Sequence, residues 1–203
     1  MLTLEQGSML VSIARTAVDA FVVQGKMPRV GSGPRADFLS VRRGAFVTLN
    51  TVAGDLRGCI GFAMPVRPLG DAVFEAAIGA ASHDPRFPPV RSDELDQLLV
   101  EVSALTEPEL LKCKSQDLPN HVRIGTDGLI VSSPGSGGLL LPQVATEMKF
   151  TPEDFLAHTC VKAGLFPDAW LNEGVKVQRF QAEVFAETSP RGPAEGHSNQ
   201  LGP

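Results

Sequence analysis

The chain has 203 residues, 43% of them hydrophobic, enough for one domain with a real core or for two small lobes sharing one. Its formal net charge of -5 argues against a general nucleic-acid binder, and no apolar run approaches the roughly 20 residues that cross a bilayer. Three widely spaced cysteines, Cys59, Cys113 and Cys160, form no CxxC pair, which argues against a disulfide framework or a structural zinc site.

In chain order, Thr3-Leu-Glu-Gln6 has the form of a capping box, and Met9 or Leu10, Ile13, Ala17 and Phe21 then recur at helical spacing up to a stop at Gly25. This start lacks a charged n-region and a cleavage site, so a reduced cytoplasmic protein is expected. A Gly- and Pro-rich loop follows from Pro28 to Pro34. Gly44 to Asn50 alternates as a strand, Thr51 to Asp55 is a turn, and Leu56-Arg-Gly-Cys-Ile-Gly61 is the return strand of a hairpin. Pro65 and Pro68 break the chain before a helix from about Leu69 to Ala81, with Leu69, Val73, Ala76, Ala77 and Ala80 on one stripe. Ser82 to Pro89 is an irregular segment stiffened by proline. A short helix near Asp93–Leu98 leads into a strand, Leu99–Thr106, with Val100, Val102 and Ala104 facing the core and Glu101 and Ser103 opposite.

The second half repeats the pattern. Gly128–Ser133 and Gly138–Leu141 read as a hairpin about Pro134–Gly137. Thr151 caps a helix with Pro152 at its first position, and Phe155, Leu156, Thr159, Cys160 and Ala163 form its inner stripe. Val175–Glu187 reads as one closing strand with a bulge near Arg179, where its alternation shifts phase. The fold class is therefore α+β: a mainly antiparallel sheet with packed helices, built from two hairpin-helix-strand units. Residues 1–187 are expected to form one domain of two intimately packed lobes, and 188–203, with almost nothing to bury, a disordered tail.

The candidate chemistry gathers in the first hairpin. Alternation puts Arg57, Cys59 and Gly61 on one strand face, with Arg57 and Cys59 roughly 7 Å apart at their backbones. A cation beside a partly exposed cysteine favours the nucleophilic thiolate, while the bland reading of Cys59 is a small buried hydrophobe. Arg57 either binds a carboxylate or phosphate, or makes an internal salt bridge to Asp84 or Glu101. Gly58 and Gly61 imply that something approaches the backbone closely, a ligand or another strand of the fold. His83 is the histidine placed to serve Cys59 as a base, with Ser103 a second proton handler. Asp84 and Arg86 either meet a ligand or clamp their own loop. His158 points off its helix's apolar stripe, and His121 and His197 fall in loop and tail. No ligand spacing supports a metal site at Cys59 and His83, and no Gly-rich dinucleotide or phosphate loop occurs, so no cofactor is expected.

The LRGCIG hexapeptide resembles the signature of the AMMECR domain family. Gly44-Ala-Phe-Val-Thr-Leu49, Asp84-Pro-Arg-Phe-Pro-Pro89, Gly138-Leu-Leu-Leu-Pro-Gln-Val144, and Lys162-Ala-Gly-Leu165 leading to Trp170 fit the same family in the same order. The resemblance implies an AMMECR-like domain up to about Glu187 without naming a reaction. It also implies a pathway shared with Memo-type and radical-SAM proteins. Two functions stay open: an enzyme or enzyme component with a cleft for a small anionic or carbonyl ligand, and a binding or adaptor module for a protein or nucleic-acid partner.

Overall fold

The computed structural model describes residues 1–25 and 36–198. The Pro28–Pro34 loop and the last five residues of the tail lie outside them. The helices are α1 (Leu4–Gln24), α2 (Asp37–Ser40), α3 (Leu69–Ser82), α4 (Pro142–Glu147) and α5 (Pro152–Lys162). The strands are β1 (Ala45–Thr51), β2 (Leu56–Phe62), β3 (Leu98–Leu105), β4 (Glu109–Leu110), β5 (Gly128–Ser133), β6 (Ser136–Leu140), β7 (Lys176–Phe180), β8 (Ala182–Glu187) and β9 (Ala194–Ser198). The fold is α+β with two sheets, in the orders β2-β1-β3-β8-β9 and β4-β7-β5-β6. Contacts divide the chain into two units: Met1–Leu105 with Glu183–Ser198, and Thr106–Ala182.

Local chemistry sets the helix ends of the first unit. The Thr3 hydroxyl accepts the Gln6 amide at 3.2 Å, and the Gln6 side chain accepts the Thr3 amide at 2.9 Å, closing the capping box. Gly25 ends the helix with φ of 63°. Leu10, Ala14, Ala17 and Val18 of α1 are buried, with Ile13 and Phe21 packed at the edge of that stripe. The alanine stripe of α3 lies on β1 and β2, and Leu69, Val73, Ala76, Ala77 and Ala80 are all buried. Beneath them Val47, Leu49, Val100, Val102 and Ala104 fill the sheet side of this core.

A buried ion pair runs through the unit. Arg15 of α1 donates Nε and Nη2 to the Glu187 carboxylate, Nη2 also to the Leu98 carbonyl at 2.7 Å, and Nη1 to the Leu95 carbonyl at 3.4 Å. Glu187 takes the Val100 amide as well, at 3.0 Å. Both residues are buried, and their mutual pairing, together with these backbone partners and Asp19 at 3.5 Å from Arg15 Nη1, makes that placement tolerable.

In the second unit, β5 and β6 join through Pro134 and Gly135, with Ser133 facing Ser136 and Gly135 at φ of 79°. The turn is therefore tighter than Pro134–Gly137, and β6 begins two residues before Gly138. Thr151 caps α5 by accepting the Asp154 amide at 3.2 Å, and Phe155, Leu156, Thr159, Cys160 and Ala163 line the core. The ring of His158 is exposed and stacks on Phe150 at 4.3 Å.

Two expectations need correction. Val175–Glu187 is not one bulged strand: β7 pairs with β4 and β5, and β8 belongs to the other sheet. The phase shift is the point where the chain changes sheet. There Gln181 exchanges two 2.8 Å bonds with Thr106, its carbonyl accepting the Thr106 amide and its amide donating to the Thr106 hydroxyl. The tail is also not wholly without structure. Residues 194–198 form β9, which ladders onto β8, and Ala194 packs on the first core, so backbone pairing supplies what the side chains lack.

Candidate functional site around Cys59

The register of β1 sets the site's first row. Thr48 faces Cys59 on β2 and Glu101 on β3, while Phe46 faces Gly61 and Ser103. These residues point away from the face that carries Val47, Leu49, Val100 and Val102. The Thr48 hydroxyl lies 3.3 Å from Cys59 Sγ and donates to it. All three cysteines are free thiols; Cys59 and Cys113 are half-buried and Cys160 is buried. Burial pushes the Cys160 thiol up, and burial together with Asp117 does the same to Cys113.

The fold itself accounts for both glycines of the hexapeptide. A Cβ at Gly58 would meet the Ala80 carbonyl oxygen at 2.2 Å, because α3 crosses directly over it. A Cβ at Gly61 would meet the Phe46 ring at 2.3 Å. The close approach expected at these positions is made by a helix and an aromatic side chain of this chain.

β2 is an edge strand, and the loop after α3 occupies its free side. The Cys59 amide donates to Asp84 Oδ2 at 2.8 Å. The same carboxylate accepts the Arg86 amide (3.1 Å), Nε (2.9 Å) and Nη2 (2.7 Å), so the loop clamp between Asp84 and Arg86 is present. Asp84 is buried, and the Arg86 hydrogen bonds hold its carboxyl well below the usual carboxylate range, outweighing the opposing effect of burial. Arg86 remains 54% exposed at its side chain, with its guanidinium 5.5 Å from the Phe87 ring. The Asp84 bonds raise the pKa of Arg86, and the charge of a Cys59 thiolate adds to that rise, so Arg86 is a cation within the field of this sulfur.

Arg57 is engaged elsewhere. Its Nε and Nη2 reach the Glu94 carboxylate at 2.7 and 3.1 Å, and Nη1 and Nη2 reach the Pro88 and Pro89 carbonyls at 3.0 and 3.4 Å. The internal salt bridge is thus to Glu94, in the short 3₁₀ turn before β3, and not to Asp84 or Glu101. His83 ends α3. The Ser82 hydroxyl reaches both the Ile78 carbonyl, at 2.7 Å, and His83 Nδ1, at 2.6 Å. Among the described residues no hydrogen bond joins His83 or Ser103 to Cys59; the thiol's partner is Thr48. Sequence reading missed Thr48 and Glu94. The first was legible only with the hairpin register, which slips between Leu49 and Asn50. The second lies 37 residues from its partner.

Among the described residues no cluster of three metal-ligating side chains occurs, and no helix is long and apolar enough to cross a membrane. The second unit has a polar recess of about 240 Å³, lined by Glu109, Arg123, Asp127, Arg179 and Gln181 among others. Burial pushes the Asp127 carboxyl up, but its hydrogen bonds from Arg123 and Gln181 prevail and hold it below the usual range. Arg179 is likewise paired, with Glu109.

The model of the AMMECR1 family matches residues 11–185. The chain belongs to the AMMECR1 family. A protein of Thermococcus onnurineus is 47% identical over 197 residues, covering 94% of this chain and 95% of its own length. Protein MJ0810 of Methanocaldococcus jannaschii is 47% identical over 194 residues, covering 95% of each. Among solved structures, that of the uncharacterised protein PH0010 from Pyrococcus horikoshii superposes with a TM-score of 0.83 at 46% identity, covering 95% of this chain and 97% of that one. The AMMECR1 match spans every residue of the Cys59 constellation, from Thr48 through Arg57 and Asp84 to Glu94.

Proposed function

We propose that this AMMECR1-family protein is an enzyme, or a component of one, whose functional group is the Cys59 thiol in a small-ligand site beside Arg86. The observation that carries this reading is the attention two polar groups give to one half-exposed cysteine. The Thr48 hydroxyl bonds its sulfur, and the buried Asp84 carboxylate ties its amide to the Arg86 guanidinium. A core cysteine is treated differently in the same chain: Cys160 lies in an apolar core at 0% exposure, with the backbone of Trp170 rather than a side-chain hydroxyl bonding its thiol. The ligand class is a small anionic or carbonyl-bearing molecule, with Arg86 as the cation it meets. Family membership alone supports a shared pathway with Memo-type and radical-SAM proteins.

Competitive alkylation tests the reading. With native protein near pH 7, peptide mass spectrometry should find Cys59 modified before Cys113 and Cys160. The ratio of its rates with anionic iodoacetate and neutral iodoacetamide should fall roughly threefold in Arg86→Gln, the factor that about 0.6 kcal/mol of charge attraction in water supplies. Should Cys59 react only after unfolding, its thiol is packing, and the adaptor module becomes the better account.

A further inference from the structure

We infer that Arg57, held by Glu94, is a positioning residue that fixes the loop bearing Asp84 and Arg86 against Cys59, and is not itself a ligand-binding group. The inference rests on the reading of Cys59 as the functional thiol. Along a strand, backbone N–H groups two residues apart point to the same side. The Cys59 amide points out from the sheet edge, since Asp84 receives it, and the Ser82–Val90 loop lies where a neighbouring strand would otherwise pair.

That loop is tied at three places. Asp84 holds the Cys59 amide, the Val90 amide donates to the Ala81 carbonyl at 2.8 Å and closes the loop, and Arg57 takes the Pro88 and Pro89 carbonyls. Prolines carry no N–H, so their carbonyls are the only backbone handles this stretch offers at 88 and 89. A planar fork suits the task. Glu94 fixes the guanidinium plane through Nε and Nη2, which aims Nη1 at Pro88, and Glu94 is itself fixed by the Arg91 amide at 2.9 Å. The four bonds leave one of the five guanidinium N–H groups unengaged, on a side chain only 12% exposed. Bidentate capture of an oxyanion needs two.

The test compares Arg57→Lys and Glu94→Gln in the full-length protein by two measurements, with Arg86→Gln, which lacks the trypsin site, as the reference for the first alone. The first is the iodoacetate-to-iodoacetamide ratio at Cys59, which reports where the Arg86 charge stands. The second is trypsin cleavage of the native protein after Arg86, which reports loop release. Lysine keeps the charge but not the fork, so Arg57→Lys should lower the ratio to that of Arg86→Gln. It should also speed cleavage about tenfold, as loss of a charge-assisted hydrogen bond does to a local opening equilibrium. Glu94→Gln should shift both in the same direction, and serves alone if Arg57→Lys does not fold. Faster cleavage with a wild-type ratio, or no change in either, overturns the positioning role while the thiol site stands. A wild-type ratio that does not depend on Arg86 overturns the thiol–cation site and the positioning role with it.

Discussion

Arg15→Met should be among the most damaging single substitutions in the first unit. Arg15 and Glu187 are 7% and 5% exposed and stand 172 residues apart in the chain. Without the guanidinium, Glu187 keeps only the Val100 amide, and the carbonyls of Leu95 and Leu98 lose a donor. A buried charge stripped of its partner costs about 3–5 kcal/mol. For a domain of 150–250 residues each kcal/mol moves the melting temperature by about 2–4 °C, so a drop of roughly 6–20 °C is expected. Arg15→Met/Glu187→Leu removes both charges and should recover most of the loss, because an apolar pair of similar volume carries no desolvation penalty. Thermal unfolding followed by circular dichroism on the wild type, both single variants and the double variant closes the cycle. The reasoning fails if Arg15→Met melts within about 2–4 °C of wild type, the shift that 1 kcal/mol produces. It fails equally if the double variant is no more stable than the single one.

Three further outcomes are open to measurement. Asp84 has a folded pKa below its ordinary value of about 3.9, so its contribution is complete above that pH and is lost as pH falls through the folded value. Asp84→Asn should lower the guanidinium midpoint at pH 7 and converge with wild type in acid; a constant gap across pH would contradict this. Gly58→Ala drives a methyl into the Ala80 carbonyl and should cost about 1–3 kcal/mol, read as a lower guanidinium midpoint, because backbone must move to admit it. Thr151→Ala removes the α5 cap and should cost about 1 kcal/mol in the unfolding of the second unit, whereas an unchanged midpoint would mean that the helix start is held by packing alone.

What could be read from the sequence was mostly chemistry confined to a few neighbouring residues. Thr3 with Gln6, Thr151 with Pro152, and the clamp of Asp84 on Arg86 each span no more than three positions, and all are present. The stripes of α3 and α5 were legible because burial on one face imposes a helical period. Strand alternation likewise put Arg57 and Cys59 on one face. It could not say that Arg57 turns to Glu94, since that depends on where a later 3₁₀ turn comes to rest. Nor could it tell that the neighbour of Gly58 is a helix, and not a ligand or another strand. The short helices α2 and α4 escaped because they are too brief for periodicity. The strand β9 escaped because its pairing owes little to apolar side chains.

The return of the chain from β7 to β8 nests one unit inside the other along the sequence, and this orders assembly during synthesis. A protein is made from its N-terminus, so the segment 106–182 is complete before Glu183 leaves the ribosome. Its strand pairings, β4 with β7 and β5 with β6 and β7, need nothing that is translated later. The first unit must wait with its helices, the hairpin and β3 already made. Until β8 arrives, one side of β3 is an open seam and Arg15 lacks the Glu187 carboxylate, with only Asp19 of its own helix beside it at 3.5 Å. Translation thus favours an inside-out order in which the nested segment closes first and the last strands then seal the outer sheet.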